Sequence, residues 1–206
     1  SAGLSDNNIL ALKPEGRFLW IGTRFGVNLY DSKKDSLVAL KGGLPVNLYV
    51  YAIETDSIWV WIGTRVGVYR LAKGETVWNK FNTPEGMITG RVNCITRFEN
   101  QIWFGSDLGI LVYDLKTQER KIYHSLTDIP GSNPQQIVLN SKVVWVATPD
   151  GAIKLDRAQE RWRLYSTNDG LLDNNVQAVL LDGDYIWFGT ARGLTKFYWN
   201  SARRID

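Results

Sequence analysis

Apolar residues along this chain fall in short runs fenced by Gly, Asn, Asp and Pro, and the runs repeat as sets. Phe18-Leu19-Trp20-Ile21 and Tyr185-Ile186-Trp187-Phe188 are two copies of one such run, and bounded runs of this length read as buried strands. Each is followed, past a glycine, by an alternating stretch such as Val27-Asn28-Leu29-Tyr30 or Ile110-Leu111-Val112-Tyr113. A third run, at Thr76 to Phe81, Arg120 to Tyr123 and Arg161 to Tyr165, alternates apolar and polar residues as a half-solvated outer strand does. A fourth lies upstream of each tryptophan: Ile9 to Leu12, Val50 to Ile53, Val92 to Ile95, Gln135 to Leu139 and Val176 to Leu180. No window carries a helical period.

The spacing of the tryptophans turns these strands into a fold. Trp20, Trp61, Trp103, Trp145 and Trp187 recur every 41, 42, 42 and 42 residues, each opening a phrase of the type Trp-Ile-Gly-Thr-Arg-x-Gly, with Ala147 alone breaking the first glycine position. A period near 40 residues, filled by four strands and four short loops, is the signature of a propeller blade. One such sheet cannot bury both of its faces, so blades must cover one another. The chain therefore reads as an all-β, five-bladed β-propeller with blades near residues 4–43, 44–86, 87–128, 129–170 and 171–206. At 206 residues it could bury about 70% of its unfolded surface as one domain. The last blade is truncated, its outer strand reduced to Arg203 to Asp206, and Gly3 to Asn7 already form the loop before a first strand. Either the ring closes by face packing alone, or the chain is part of a longer protein.

Charge and composition narrow the function. A net charge of +3 with no basic run beyond Lys33-Lys34 and Arg203-Arg204 argues against nucleic acid. No stretch nears eighteen apolar residues, so direct membrane insertion is not expected. One cysteine, Cys94, and one histidine, His124, cannot make a typical zinc site, no Asp-rich calcium loop is present, and no cofactor is expected. Cys94 sits where three other blades carry alanine and reads as a small core residue.

The repeat also locates candidate chemistry. Twelve residues before each tryptophan stand Asn8, Tyr49, Arg91, Asn133 and Asn175; ten before stand Leu10, Tyr51, Asn93, Gln135 and Gln177. These are expected to line the central funnel. They contain no Asp or Glu, which argues against the paired-carboxylate chemistry of a glycosidase, although Asp6, Asp107, Asp150 and Asp173 on loops could converge. The loop within the Trp phrase, expected on the same end, adds Arg24, Arg65 and Arg192. Arginine forks suit carboxylates and phosphates, and tyrosine faces suit sugar rings. A purely structural account of the same residues is that Asn satisfies turn backbone and the arginines are solvated. Gly26, Gly67, Gly109, Gly151 and Gly193 are expected to supply positive torsions or compact turns.

Gly43-Leu44-Pro45-Val46-Asn47, Gly170 to Asn174, Leu19 to Asp31 and Gly109 to Asp114 together resemble the two-component-regulator propeller repeats of bacterial hybrid histidine kinases. That resemblance spans essentially the whole chain. It implies an extracytoplasmic (periplasmic or cell-surface) sensor propeller without catalytic residues, binding a saccharide or small anionic ligand and working in signal transduction. The family's propellers are usually seven-bladed and paired, whereas five copies are present here. Streptogramin-lyase-like propellers share the Trp-Phe phrase but use a funnel histidine, a role that His124 on an outer strand does not fit. Two other readings stand beside the sensor: a protein-interaction or structural module of a larger surface assembly, and, third, a carbohydrate-active enzyme.

Overall fold

In the computed structural model, which describes residues 3–200 apart from positions 41, 43, 46, 84, 85 and 87, every predicted blade is an antiparallel sheet built outward in chain order. The first is β1 (Ile9–Glu15), β2 (Phe18–Thr23), β3 (Gly26–Asp31) and β4 (Ser36–Val38). The second is β5 (Val50–Thr55), β6 (Trp59–Thr64), β7 (Gly67–Ala72) and β8 (Asn79–Phe81), and the third β9 (Val92–Phe98), β10 (Gln101–Ser106), β11 (Gly109–Asp114) and β12 (Arg120–His124). The fourth comprises β13 (Gln136–Leu139), β14 (Val143–Thr148), β15 (Gly151–Asp156) and β16 (Arg161–Tyr165). The fifth has three strands, β17 (Val176–Asp182), β18 (Tyr185–Thr190) and β19 (Gly193–Tyr198). The expected remnant of a fourth strand, Arg203 to Asp206, lies outside the described residues. This is the five-bladed, propeller-like all-β architecture that the repeat predicts, and the described residues add one helical turn, a 3-10 turn at Thr167–Asp169.

The chain divides into two compact units, residues 1–107 with 111–121 and residues 108–110 with 122–206. In the first unit, each sheet turns its Trp face onto the opposite face of the next. Trp20 and Leu29 pack with Val50, Ile53, Val60, Ile62, Tyr69 and Leu71 of the second sheet. Trp61, fully buried, meets Phe81 at 5.1 Å, Phe104 at 5.7 Å and Tyr113 at 6.2 Å between ring centroids. The second unit repeats the scheme, with Trp145 against Phe188 at 5.3 Å and Ala147, Val176, Val179 and Ile186 in the same core.

The first glycine of the Trp phrase exists for this packing. A Cβ on Gly22 would stand 2.9 Å from Val50 Cγ1, and one on Gly63 would stand 2.9 Å from the Val92 carbonyl oxygen. Val50 and Val92, which lead β5 and β9, are thus knobs seated in notches of the preceding blade. The second glycine turns the strand: Gly67 has φ 114°, and a Cβ there would fall 2.5 Å from the Ile88 carbonyl oxygen.

Several boundaries differ from expectation by a few residues, and at two of them the cause is visible. β8 starts at Asn79 rather than Thr76, because Trp78 is drawn into the core against Trp20, with centroids 6.4 Å apart and rings at 86°, and cannot continue the outer ladder. β1 runs past Leu12 to Glu15, because its polar end is used: Glu15 accepts the Trp20 indole N–H at 2.9 Å, and Lys13 pairs with Glu54 at 2.5 Å.

Candidate functional site

In four of the five Trp phrases a threonine fixes the loop. Thr64 Oγ1 donates to the Gly67 carbonyl at 2.7 Å and accepts the Val66 amide at 3.2 Å, and Thr23, Thr148 and Thr190 repeat the pair of bonds. That turn sets where Arg24, Arg65 and Arg192 leave the backbone. The same loops are laced to the strand-leading loops: the Arg65 amide donates to the Tyr49 carbonyl and the Asp107 amide to the Arg91 carbonyl, each at 3.2 Å. The two loop families therefore lie at one end of the blades, as expected from sequence.

In the first unit these anchors bring four of the expected residues together. Arg65 lies over the Tyr49 ring at 5.3 Å, Tyr49 and Tyr51 are 6.1 Å apart with a 35° tilt, and Arg91 lies over Tyr51 at 4.3 Å. The result is an unbroken series, Arg65, Tyr49, Tyr51, Arg91, with both guanidinium groups exposed and both rings half-buried. Each tyrosine has an arginine over its ring within cation–π range. Asn93 is buried, not displayed, while Asn8 and Arg24 are exposed.

The second unit uses its expected residues differently. The Gln135 amide nitrogen donates to the Asn133 carbonyl at 3.1 Å, and Asn133 itself adopts φ 53°. Asp173 accepts the Asn175 amide at 2.9 Å and lies 4.0 Å from the Arg192 guanidinium. Asp150 accepts both the amide and the hydroxyl of Ser132. Gln177 is exposed. Most of these polar groups hold the loops themselves, while Gln136 accepts the Val179 amide across the blade boundary at 2.9 Å.

A feature that the sequence reading passed over lies at the opposite end of the fourth and fifth sheets. An open groove of about 590 Å³ is lined by Lys154, Asp156, Arg157, Trp199 and neighbouring loop residues. Lys154 Nζ stands 5.7 Å from the Trp145 and Trp199 ring centroids, and burial draws its pKa below the ordinary lysine value, with Asp156 opposing. A signal was available: nine residues after the phrase tryptophan stand Arg70, Lys154 and Lys196, and all three cover that tryptophan's ring.

Neither a protein-family model nor a curated protein sequence matches the chain. Solved structures do match in fold. The extracellular domain of a Bacteroides protein (B. thetaiotaomicron) described as the hybrid two-component system BT3049 superposes with a TM-score of 0.79 at 20% identity, over 96% of this chain and 29% of that one. The corresponding domain of BT4673 from the same organism gives 0.80 at 19% identity, over 95% and 28%. The computationally designed Ika8 protein gives 0.69 at 14% identity, over 92% of this chain and 58% of that one. The chain thus spans under a third of the length of the two natural domains, and the likeness is one of fold.

Proposed function

We propose that this chain is a non-enzymatic, extracytoplasmic ligand-recognition propeller that binds a saccharide or small anionic ligand through its Arg65–Tyr49–Tyr51–Arg91 surface. The observation that carries the reading is the series itself. Two exposed guanidinium groups lie over adjacent tyrosine rings at the end of the blades where the strand-leading and Trp-phrase loops meet. Edge donors on a preorganised guanidinium suit a carboxylate or phosphate, and the apolar ring between them suits a sugar. Because one face of each tyrosine is already covered by arginine, the arrangement favours a ligand with an anionic group over a neutral sugar alone.

The sensing role is supported by fold likeness to extracellular domains of two-component systems. An acid and base mechanism gains no support from Asp150 and Asp173, whose carboxylates are engaged by Ser132, Asn175 and Arg192.

A thermal-shift screen of the purified chain against oligosaccharides, sugar acids and phosphates, with Arg91→Ala in parallel, tests the proposal. A ligand present at a hundredfold its dissociation constant adds about 2.7 kcal/mol, which for a domain this size raises the melting point by roughly 5 to 10 °C. A shift lost in Arg91→Ala supports the site; a shift of equal size in both proteins places binding elsewhere, the Lys154 groove first.

A further inference from the structure

Four of the five phrase tryptophans give their indole N–H to a side-chain oxygen, and in three the acceptor is a carboxylate five residues upstream. Glu15 accepts from Trp20 at 2.9 Å, Asp56 from Trp61 at 2.7 Å and Asp182 from Trp187 at 3.3 Å. Trp103 donates to the Gln101 side-chain oxygen at 3.3 Å. Trp145 is the exception: it is 1% exposed, its N–H is buried, and no described residue accepts from it. Buried donors almost always have an acceptor, because leaving one unpaired forfeits its hydration for nothing.

The difference comes down to one atom. Trp145 holds the register of Trp61, pairing with Val138 and Lys154 as Trp61 pairs with Glu54 and Arg70, but the residue five back is Asn140 in place of Asp56. Asn140 Oδ1 accepts the Lys142 and Val143 amides at 2.8 and 3.0 Å, the same two bonds that Asp56 Oδ1 makes to Ile58 and Trp59. With that oxygen committed to the turn, the atom in the place of Asp56 Oδ2 is an amide nitrogen, which only donates. Two donors therefore meet where the second blade has a donor and an acceptor. A cation adjoins them: Lys154 is half-buried, with Nζ 5.7 Å from the Trp145 ring centroid, and burial draws its pKa below the ordinary lysine value although Asp156 acts the other way. The Asp156 carboxylate is occupied by the Ala158 and Gln159 amides. Ser141, Lys142 and Val143, the turn that Asn140 opens, line the groove of about 590 Å³ with Lys154 and Arg157, and Asn140 itself is partly exposed, which gives a small ligand its way in.

We propose that this end of the groove binds the carboxylate of a small organic acid in the place that Asp56 Oδ2 occupies in the second blade. One ligand oxygen accepts the Trp145 indole N–H and an Asn140 Nδ2 proton, and Lys154 supplies the countercharge. A carboxylate is selected over a neutral amide or alcohol because every partner at that place donates and one is charged. All of these residues lie in one compact unit, on the fourth sheet and its inner hairpin, so the site does not rest on the Arg65–Tyr49–Tyr51–Arg91 reading.

Nitrogen-15 NMR of the full chain, with its nine tryptophan indoles assigned, reads the Trp145 N–H directly. The probes are acetate and its neutral counterpart acetamide, with chloride holding the ionic strength constant. Acetate should move the Trp145 indole proton downfield to saturation and acetamide should not. Lys154→Gln should weaken acetate by about tenfold or more, the loss expected of a charge-assisted bond. Asn140→Asp restores the missing oxygen from within the chain, so it should move the same resonance downfield with no ligand present, abolish the acetate response and melt roughly 2 to 4 °C higher. A Trp145 resonance that acetate leaves in place, that acetamide moves equally, or that still titrates with acetate in Asn140→Asp overturns the proposal.

Discussion

The Arg91 guanidinium lies 4.3 Å from the centroid of the Tyr51 ring, although the two residues lead different blades of the first unit. Tyr51 follows the valine knob of β5, and Arg91 precedes the knob of β9. Seating Val92 at Gly63 therefore also sets Arg91 over Tyr51, so the packing that closes the blades builds the surface above them.

Because Arg91 is exposed and its partner is a half-buried ring, removing it should cost little in folding. Arg91→Ala is expected to change stability by no more than about 1 kcal/mol while weakening binding of an anionic ligand at least tenfold. Chemical denaturation and titration of the same preparation separate the two effects.

Asp56 closes the second sheet's inner hairpin. Its carboxylate accepts the Ile58 amide at 2.6 Å, the Trp59 amide at 2.7 Å and the Trp61 indole N–H at 2.7 Å, all where water is scarce, since Asp56 is buried. Asp56→Ala strands these donors and should destabilise by about 2 to 3 kcal/mol, lowering the melting point by roughly 4 to 12 °C. Asp56→Asn, which keeps an acceptor oxygen, should recover part of the loss in calorimetry.

Gly63 and Gly189 hold the same place in the repeat but face different surroundings. Gly63→Ala pushes a methyl to 2.9 Å from the Val92 carbonyl oxygen and should cost about 1 to 3 kcal/mol. Gly189→Ala meets nothing nearer than 3.4 Å and should leave stability unchanged or slightly raised, as expected when chain entropy is reduced without strain. Melting curves of the two variants side by side give the comparison.

Burial pushes the Cys94 thiol up to about 12 from an ordinary value of 9.0, with a hydrogen bond involving the Gly105 backbone opposing. Below pH 9 both folded and unfolded chains keep the proton. As pH rises beyond that, the unfolded chain releases it while the folded chain does not, so stability falls until the folded value is passed. Cys94→Ala, which installs the residue that Ala11, Ala52 and Ala178 place in other blades, should lie within about 1 kcal/mol of wild type at neutral pH. Denaturant midpoints near pH 10.5 should then show wild type losing about 1 to 2 kcal/mol more than the variant.

Much of this was readable before any coordinates. The tryptophan period gave the blades because a repeat shows the same burial choice five times over. The period also places Tyr49, Tyr51 and Arg91 before or on the innermost strands and Arg65 in the Trp-phrase loop, and these four side chains lie side by side. Other readings depended on what covers a residue, which the repeat does not encode. Trp187 has the phrase and register of Trp61, yet it is only partly buried. Asn93 shares its repeat position with Tyr51 but is buried. The loop polar groups at Asp150 and Asp173 hold local turns, an outcome set by loop geometry and not by spacing.

Paired arginines on adjacent tyrosines are the centre of the binding proposal, and isothermal titration with a matched pair of probes tests them most directly. The probes are oligosaccharides of equal length built from glucuronic acid and from glucose, which differ in the carboxylate alone, titrated into wild type and into an Arg65→Ala, Arg91→Ala double variant. The acidic probe is predicted to bind wild type at least tenfold more tightly than the neutral one, and the double variant to lose that preference while melting within a few degrees of wild type. A wild type that binds neither probe, or a double variant that keeps the full preference for the acid, would contradict it.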